Sequence, residues 1–338
     1  MNLLLIKTSS LGDVLHTLPA LRDLARARPE IRVHWVVEEA FAQIPTWAEN
    51  VTEVLPIAWR RWRKHPLNAW RSGDPTTFLT HLRAQPFDAI LDAQGLLKSA
   101  LIALLAHGNR HGLDQASARE PLASIFYHYA HEVSKQQHAV SRLRSLFAQA
   151  LEYPEPHDPP DFGLNPRHFI NHTPEKPYLV FLHGTTWPSK QWPESHWRTL
   201  AEKATSAGLE VVLPWGNSDE QTRAQRIAAV APDHCRVTPK LTLNELAGEL
   251  AGSRAVIATD TGPAHLAAAL AVPTVALYGP TPTERIGIVG ERATRLVGSC
   301  PKAPCRRRNC PLHEDPDRCM HAITPDQTWQ TVQEIARP

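Results

Sequence analysis

Cysteine is scarce. Only five of 338 residues are cysteines and four of those fall in one late stretch, which excludes a disulfide-stapled secreted scaffold. Long hydrophobic runs are missing too. No segment approaches the roughly 18 uninterrupted apolar residues of a membrane span, and the opening MNLLLIKTSSLGD reaches Lys7 and Asp13 before a signal-peptide core can form. The chain therefore reads as cytoplasmic. Nor is there an excess of one charge: Lys and Arg total 36 against 34 Asp and Glu, a formal charge of +2, which argues against a disordered polyelectrolyte and a generic nucleic-acid surface. What is present is a chain 42% hydrophobic and about twice the usual domain length, enough for one large or two medium cores.

Two stretches repeat one pattern: a short apolar strand, a turn with Gly, Ser or Thr, then an amphipathic helix. That grammar predicts α/β layers with parallel sheets. In the first half the strands are expected at 3–7, 32–38, 51–57 and 87–92, with helices over 14–28, 76–84, 96–106 and 136–151. Residues 153–177 then carry seven prolines and no sustained apolar period, as a linker would. The second half resumes with strands at 178–183, 210–215, 255–260 and 274–278, and with helices over 193–206, 219–231, 243–251 and 263–270. A last helix over 325–335 can pack on either half. Open α/β sheets bind ligands beyond the carboxyl ends of their strands, so the residues after each strand are the candidates.

After the first strand, Thr8, Ser9, Ser10 and Gly12 make a small polar turn, and Asp13 opens the next helix. Asp13 either caps that helix or accepts a proton from an attacking hydroxyl. This turn fits neither G-x-G-x-x-G nor the Walker loop, which weakens dehydrogenase and P-loop readings. In the second half, His183-Gly-Thr185-Thr186 followed by Lys190 supplies hydroxyls and one cation. Asp260-Thr261-Gly262-Pro263-Ala-His265 leads into a helix that Pro263 can begin, whose bare amides suit phosphate. Leu213-Pro-Trp-Gly followed by Asp219 and Glu220 offers a carboxylate for ribose hydroxyls.

Between Glu53 and Asp74 there is no acidic residue, while Arg60, Arg61, Arg63, Lys64 and Arg71 alternate with Trp59, Trp62 and Trp70. Guanidinium groups bind phosphate or carboxylate and Trp favours an interface, so the strip suits a phosphorylated amphiphile at a membrane surface. The same pattern also describes a solvated basic face with its tryptophans in the core. Late in the chain, Cys300, Cys305, Cys310 and Cys319, with His313 and His321 nearby, are numerous enough for a structural zinc or iron–sulfur site, although the C-x2-C knuckle is lacking.

Taken together, KTSSLGDVLHTLPAL, WVVEEAFAQIP, WRRWRK, DAQGLLKSA, REPLAS with KQQHAV, KQWP, LPWG and DTGPAHLAAAL resemble the lipopolysaccharide heptosyltransferases over nearly the whole chain. The amino-terminal Lys-x-x-x-x-Gly-Asp and the Asp-Thr-Gly-x-x-His elements are shared across that family. The Trp-Arg strip and DAQGLLKSA resemble the type that adds the first heptose, whereas the cysteine-rich segment resembles some of the type that adds the second.

The resemblance implies a GT-B architecture of two facing Rossmann-like domains. Residues 1–155 would bind the acceptor, 156–177 would link, 178–324 would bind the ADP-sugar donor, and 325–338 would be a C-terminal helix able to cross back to the first domain. It implies inverting transfer of L-glycero-D-manno-heptose from ADP-heptose to a Kdo residue of Kdo-lipid A, with no cofactor or catalytic metal, at the cytoplasmic face of the inner membrane. Asp13 would be the base. Thr185, Thr186, Lys190, Thr261 and Gly262 would hold the diphosphate, Glu220 the ribose, and Asp260 and His265 heptose or phosphate oxygens. Arg60, Arg61, Arg63, Lys64 and Arg119 would meet the acidic acceptor, and nucleic acid would not be a partner. The alternatives are the second heptosyltransferase and, in another class, a nucleotide- or nucleic-acid-binding protein with a Cys-rich metal module.

Overall fold

The structure is a computed structural model and describes residues 1–170, 175–312 and 318–336. The chain divides into two compact units, Met1–Gly163 and Leu164–Pro338. In the first, six parallel strands run in the order β3-β2-β1-β4-β5-β6. They are β1 (Asn2–Ile6), β2 (Arg32–Glu38), β3 (Val51–Ile57), β4 (Phe87–Asp92), β5 (Gly108–Leu113) and β6 (Tyr129–His131). The central strand β1 pairs Leu3 with Val33 on one side and with Ala89 on the other. Its run of Leu and Ile reads continuously apolar because both faces are covered, and Leu3, Leu4, Leu5 and Ile6 are wholly buried. Each such side chain contributes roughly 1.5–3 kcal/mol relative to exposure.

The helices of this unit are α1 (Leu11–Leu15), α2 (Leu18–Ala27), α3 (Trp59–Lys64), α4 (Pro66–Ser72), α5 (Asp74–Leu82), α6 (Leu97–Leu105) and α7 (Ala139–Ala150). The single helix expected over 14–28 is thus two. Pro19 sits in the first turn of α2, where its missing N–H costs nothing, so the chain restarts there. Much of the proline-rich stretch expected to link the halves is tied down within the first unit. Arg144 of α7, nearly buried, donates to both carboxylate oxygens of Asp23 at 2.6 and 3.1 Å and to Asp158 at 2.8 Å. Arg26 pairs with Asp161, and Phe162 is buried.

The second unit repeats the plan, with strands in the order β12-β11-β10-β7-β8-β9, all parallel. They are β7 (Tyr178–Leu182), β8 (Glu210–Leu213), β9 (Cys235–Val237), β10 (Ala255–Thr259), β11 (Thr274–Tyr278) and β12 (Ala293–Val297). Its helices are α8 (Glu194–Ser206), α9 (Ser218–Ala228), α10 (Leu243–Ala251), α11 (Gly262–Ala269), α12 (Thr283–Ile286), α13 (Cys319–Ala322) and α14 (Pro325–Ile335). Trp192 and Trp197 meet edge to face at 4.9 Å beneath Phe181 and anchor the core. The last helix, which sequence left free to pack on either half, packs within this unit. Val332, Trp329 and Ile335 join its core, and Asp326 pairs with Lys203 of α8 at 2.7 Å. Among the described residues no helix is long and apolar enough to cross a membrane.

Candidate active site

In the first unit the loops after β1 and β4 form one hydrogen-bonded assembly. The backbone N–H groups of Thr8 and Ser9 donate to Gln94 Oε1 at 3.1 and 3.3 Å, so the DAQG segment holds the serine turn. Lys7 is buried and donates to the Ala93 carbonyl at 2.9 Å. Burial lowers its pKa, opposed by the charges of Asp13 and Asp92, while Arg142 and Arg119 act in the same direction as burial. Arg119 thereby lies within electrostatic reach of this turn. Its loop is fixed by the Glu120 N–H, which donates to the Gly95 carbonyl at 3.1 Å. Gly95 has φ +66°, a conformation only glycine adopts cheaply.

Asp13 faces back along its own helix. Its Oδ2 accepts from both the backbone N–H and the hydroxyl of Ser10, each at 2.8 Å. The capping and catalytic readings of this residue therefore need not exclude one another. The cap uses one carboxylate oxygen, and Oδ1 has no hydrogen-bond partner among the described residues. The side chain is part exposed.

In the second unit the loops after β7 and β10 meet around a buried ion pair. Lys190 Nζ lies 2.7 Å from Asp260 Oδ2, with 14% and 7% of the two side chains exposed. The Thr281 hydroxyl donates to the same Oδ2 at 2.6 Å, and the Thr185 hydroxyl to the Asp260 carbonyl at 3.4 Å. Lys190 also sits 4.5 Å from the centre of the Trp187 ring. Thr261 caps α11 with extended backbone, and Gly262 and Pro263 begin the helix. Thr186 is exposed, and His265 is buried one turn into α11. Glu220 Oε2 accepts from the Gly216 N–H at 2.8 Å, and its carboxylate lies against Gly184, where a Cβ would come within 2.5 Å of its Cδ. Thr185, Lys190, Asp260, Thr261 and Glu220 are thus brought to neighbouring loops. Thr281, Gln94 and the buried pair itself were missed. Their signal is spatial, since Lys190, Asp260 and Thr281 are separated by whole strands and helices.

The Trp-Arg strip forms α3 and α4. Trp62 turns into the core beside Phe78, whereas Trp59 and Trp70 are exposed, Trp70 by 81%. The expectation of tryptophans in the core thus holds for Trp62 and not for Trp59 or Trp70. Arg61 is already claimed by Glu39 and Asp74, at 3.0 and 2.6 Å. Arg60, Arg63 and Lys64 are exposed and form no ion pair among the described residues. The strip is tied to the serine turn through Glu38, whose N–H donates to the Thr8 carbonyl at 3.1 Å and whose Oε1 accepts from the Arg60 N–H at 3.0 Å.

Among the described residues no group of three or more His, Cys, Asp or Glu side chains is arranged to hold a metal ion. All five cysteines are free thiols. Cys319 is buried, and burial first, then Cys300, pushes its thiol up to about 12. His313 lies outside the described residues.

Residues 76–314 match the model of glycosyltransferase family 9 (heptosyltransferase). A lipopolysaccharide heptosyltransferase 1 of Pseudomonas aeruginosa is 50% identical over 319 residues, covering 93% of this chain and 90% of that protein. A solved structure of E. coli heptosyltransferase WaaC with ADP is 42% identical with a TM-score of 0.88, covering 99% of this chain and 100% of that one. A second, with ADP-2-deoxy-2-fluoro heptose, gives 0.85 at the same identity, covering 99% of each chain. The two parallel sheets and this likeness make the fold GT-B, and a glycosyltransferase replaces the nucleic-acid-binding alternative. By family match and by identity over most of its length, the chain belongs to glycosyltransferase family 9, the heptosyltransferases.

Proposed function

We propose that this heptosyltransferase moves L-glycero-D-manno-heptose from ADP-heptose to a Kdo residue of Kdo-lipid A, the first heptose of the lipopolysaccharide inner core. The observation that carries the chemistry is the half-used Asp13 carboxylate. The acceptor hydroxyl donates its proton to Asp13 Oδ1 as its oxygen bonds to the anomeric carbon. The bond from that carbon to the diphosphate breaks, ADP leaves with the electron pair, and the configuration inverts. Supporting the donor assignment are relatives solved with ADP and a fluorinated ADP-heptose. Thr185, Thr186, Lys190, Thr261 and Gly262 hold the diphosphate, Glu220 the ribose, and Asp260 Oδ1 and His265 the heptose or phosphate oxygens. Negative charge growing on ADP is met by Lys190 and helix amides, so the scheme requires no divalent cation.

Arg60, Arg63, Lys64 and Arg119 meet the acidic acceptor, with Arg61 available once it exchanges a carboxylate partner. The exposed Trp70 and Leu67 beside these cations suit peripheral contact with the cytoplasmic face of the inner membrane. An assay offering each acceptor separately tests the reading. ADP release is expected when ADP-heptose and Kdo-lipid A are both present. Release only with an acceptor already bearing heptose would assign the enzyme to the second transfer instead.

A further inference from the structure

The donor residues named above carry too little positive charge for their ligand. Lys190 is the one cation among them, against the carboxylates of Asp260 and Glu220, and Asp260 already offsets it at 2.7 Å. Nearby Arg223 donates to Gln191 at 2.8 Å and is offset by Glu194 and Glu220. A nucleoside diphosphate brings two or more negative charges to a site whose own side chains do not balance them.

The segment between Cys300 and Cys310, which the proposed reaction leaves unused, is stitched to this site through its backbone. The buried Ser189, the residue before Lys190, donates its N–H to the Arg308 carbonyl at 3.1 Å and its hydroxyl to the Arg307 carbonyl at 2.6 Å. The Arg306 N–H donates to the carbonyl of Pro280, the residue before Thr281, at 2.8 Å. Both anchors therefore adjoin residues that hold Asp260. The loop is footed in the core, where Cys300 and Ala303 pack against the cluster containing Cys319. Arg306, Arg307 and Arg308 are exposed and form no ion pair among the described residues. Elsewhere in the same unit, Arg226 and Arg236 are matched to Glu194 and Glu249.

We propose that Arg306, Arg307 and Arg308 are diphosphate-binding residues, a second cationic wall of the donor site that holds the phosphates of the nucleoside-diphosphate sugar and of the departing nucleoside diphosphate. The inference rests on the donor reading above. Guanidinium groups bind phosphate through paired N–H donors and stay charged throughout the reaction, so they fill the deficit that Lys190 leaves. Their backbone anchors fix where the side chains begin, which lowers the ordering cost of binding.

The test is calorimetric titration of ADP, AMP and adenosine into the wild type, Lys190→Ala, and a variant with all three arginines changed to alanine. The anchoring groups are backbone atoms and survive these changes, and matched unfolding midpoints confirm it. Arg307→Ala alone gives a smaller version of the same readout should the triple variant fold poorly. The triple variant is expected to lose at least about tenfold in ADP affinity, less for AMP and nothing for adenosine, with a shallower salt dependence. Changing the three to lysine restores part of the loss. ADP binding unchanged in the triple variant while Lys190→Ala weakens it overturns the inference and leaves the donor reading standing. A rise confined to the acceptor KM also overturns it, by assigning the cations to the acceptor. No saturable ADP binding by the wild type sinks the donor reading itself.

Discussion

The two units share a strand order and differ in how they use the same loops. In each sheet the first and fourth strands lie side by side, β1 with β4 and β7 with β10, and both candidate sites grow from the loops beyond them, where chain direction across the sheet reverses. An aspartate ends β4, and another directly follows β10. Asp92 is wholly buried and its oxygens are taken by the Tyr127 hydroxyl at 2.6 Å and by the Gln94 and Gly95 N–H groups. Burial raises its pKa against the pull of these bonds. Among the described residues the Asp260 carboxylate is held on Oδ2 alone, so in the proposed function Oδ1 is open to a ligand. Topology decides where an acid stands, and the partners it keeps decide whether it is architecture or chemistry. In the first unit the half-used acid is Asp13 instead.

The largest effect expected from disturbing this contrast is at the buried pair. Lys190→Ala leaves Asp260 buried and unmatched and costs about 3–5 kcal/mol of stability, together with most ADP affinity. Lys190→Met combined with Asp260→Asn recovers much of the stability by urea unfolding but none of the ADP binding. A double variant that binds ADP normally would remove the pair from the donor site.

Acid separates the units next. His183, fully buried, has its pKa pulled down to about 4 by desolvation, with Arg223 acting the same way. Its folded value lies below its unfolded one, so the stability it permits is complete above about pH 6.5 and is lost as pH falls toward 4, by up to about 3 kcal/mol. His183→Gln flattens that limb of the curve. His111, half buried in the first unit beside His131, is also pulled down to about 4 by burial and by His131, and its greater exposure makes its contribution smaller.

Two hydroxyl deletions sharpen the comparison of the aspartates. Tyr127→Phe strips a partner from the sealed Asp92 and costs about 1–3 kcal/mol of stability with little change in donor KM. Thr281→Val strips one from Asp260 and raises donor KM with a smaller loss of stability. The reverse pattern would interchange the roles of the two acids. The smallest effect is at Gly184. Gly184→Ala pushes a methyl into Glu220 and weakens adenosine binding by roughly fivefold, the loss of about one hydrogen bond.

Strands rich in Val, Leu and Ile were legible because their burial on both faces writes itself as an apolar run. Four strands at or beside a sheet edge were not. β5 reads GNRHGL and β6 YAH, and β9 and β12 have three and five residues, too short or too polar for a periodicity to show. WRRWRK was legible as a basic strip but not as a helix, and nothing in its spacing told Arg61, bound by two carboxylates, from Arg63. Asp13, Lys190 and Asp260 could be picked out one by one as polar residues after strands. That Lys190 and Asp260 neutralise each other, with Thr281 on the same oxygen, depends on tertiary placement over 91 residues of chain and has no local signature.

In the proposed transfer Asp13 both caps its helix and takes the acceptor proton, and Asp13→Asn tests the two roles separately. The asparagine oxygen can still accept from Ser10, so the fold and ADP affinity should be kept, while single-turnover heptose transfer falls by about 10²–10⁴. An Asp13→Asn enzyme that transfers heptose at the wild-type rate would contradict the account.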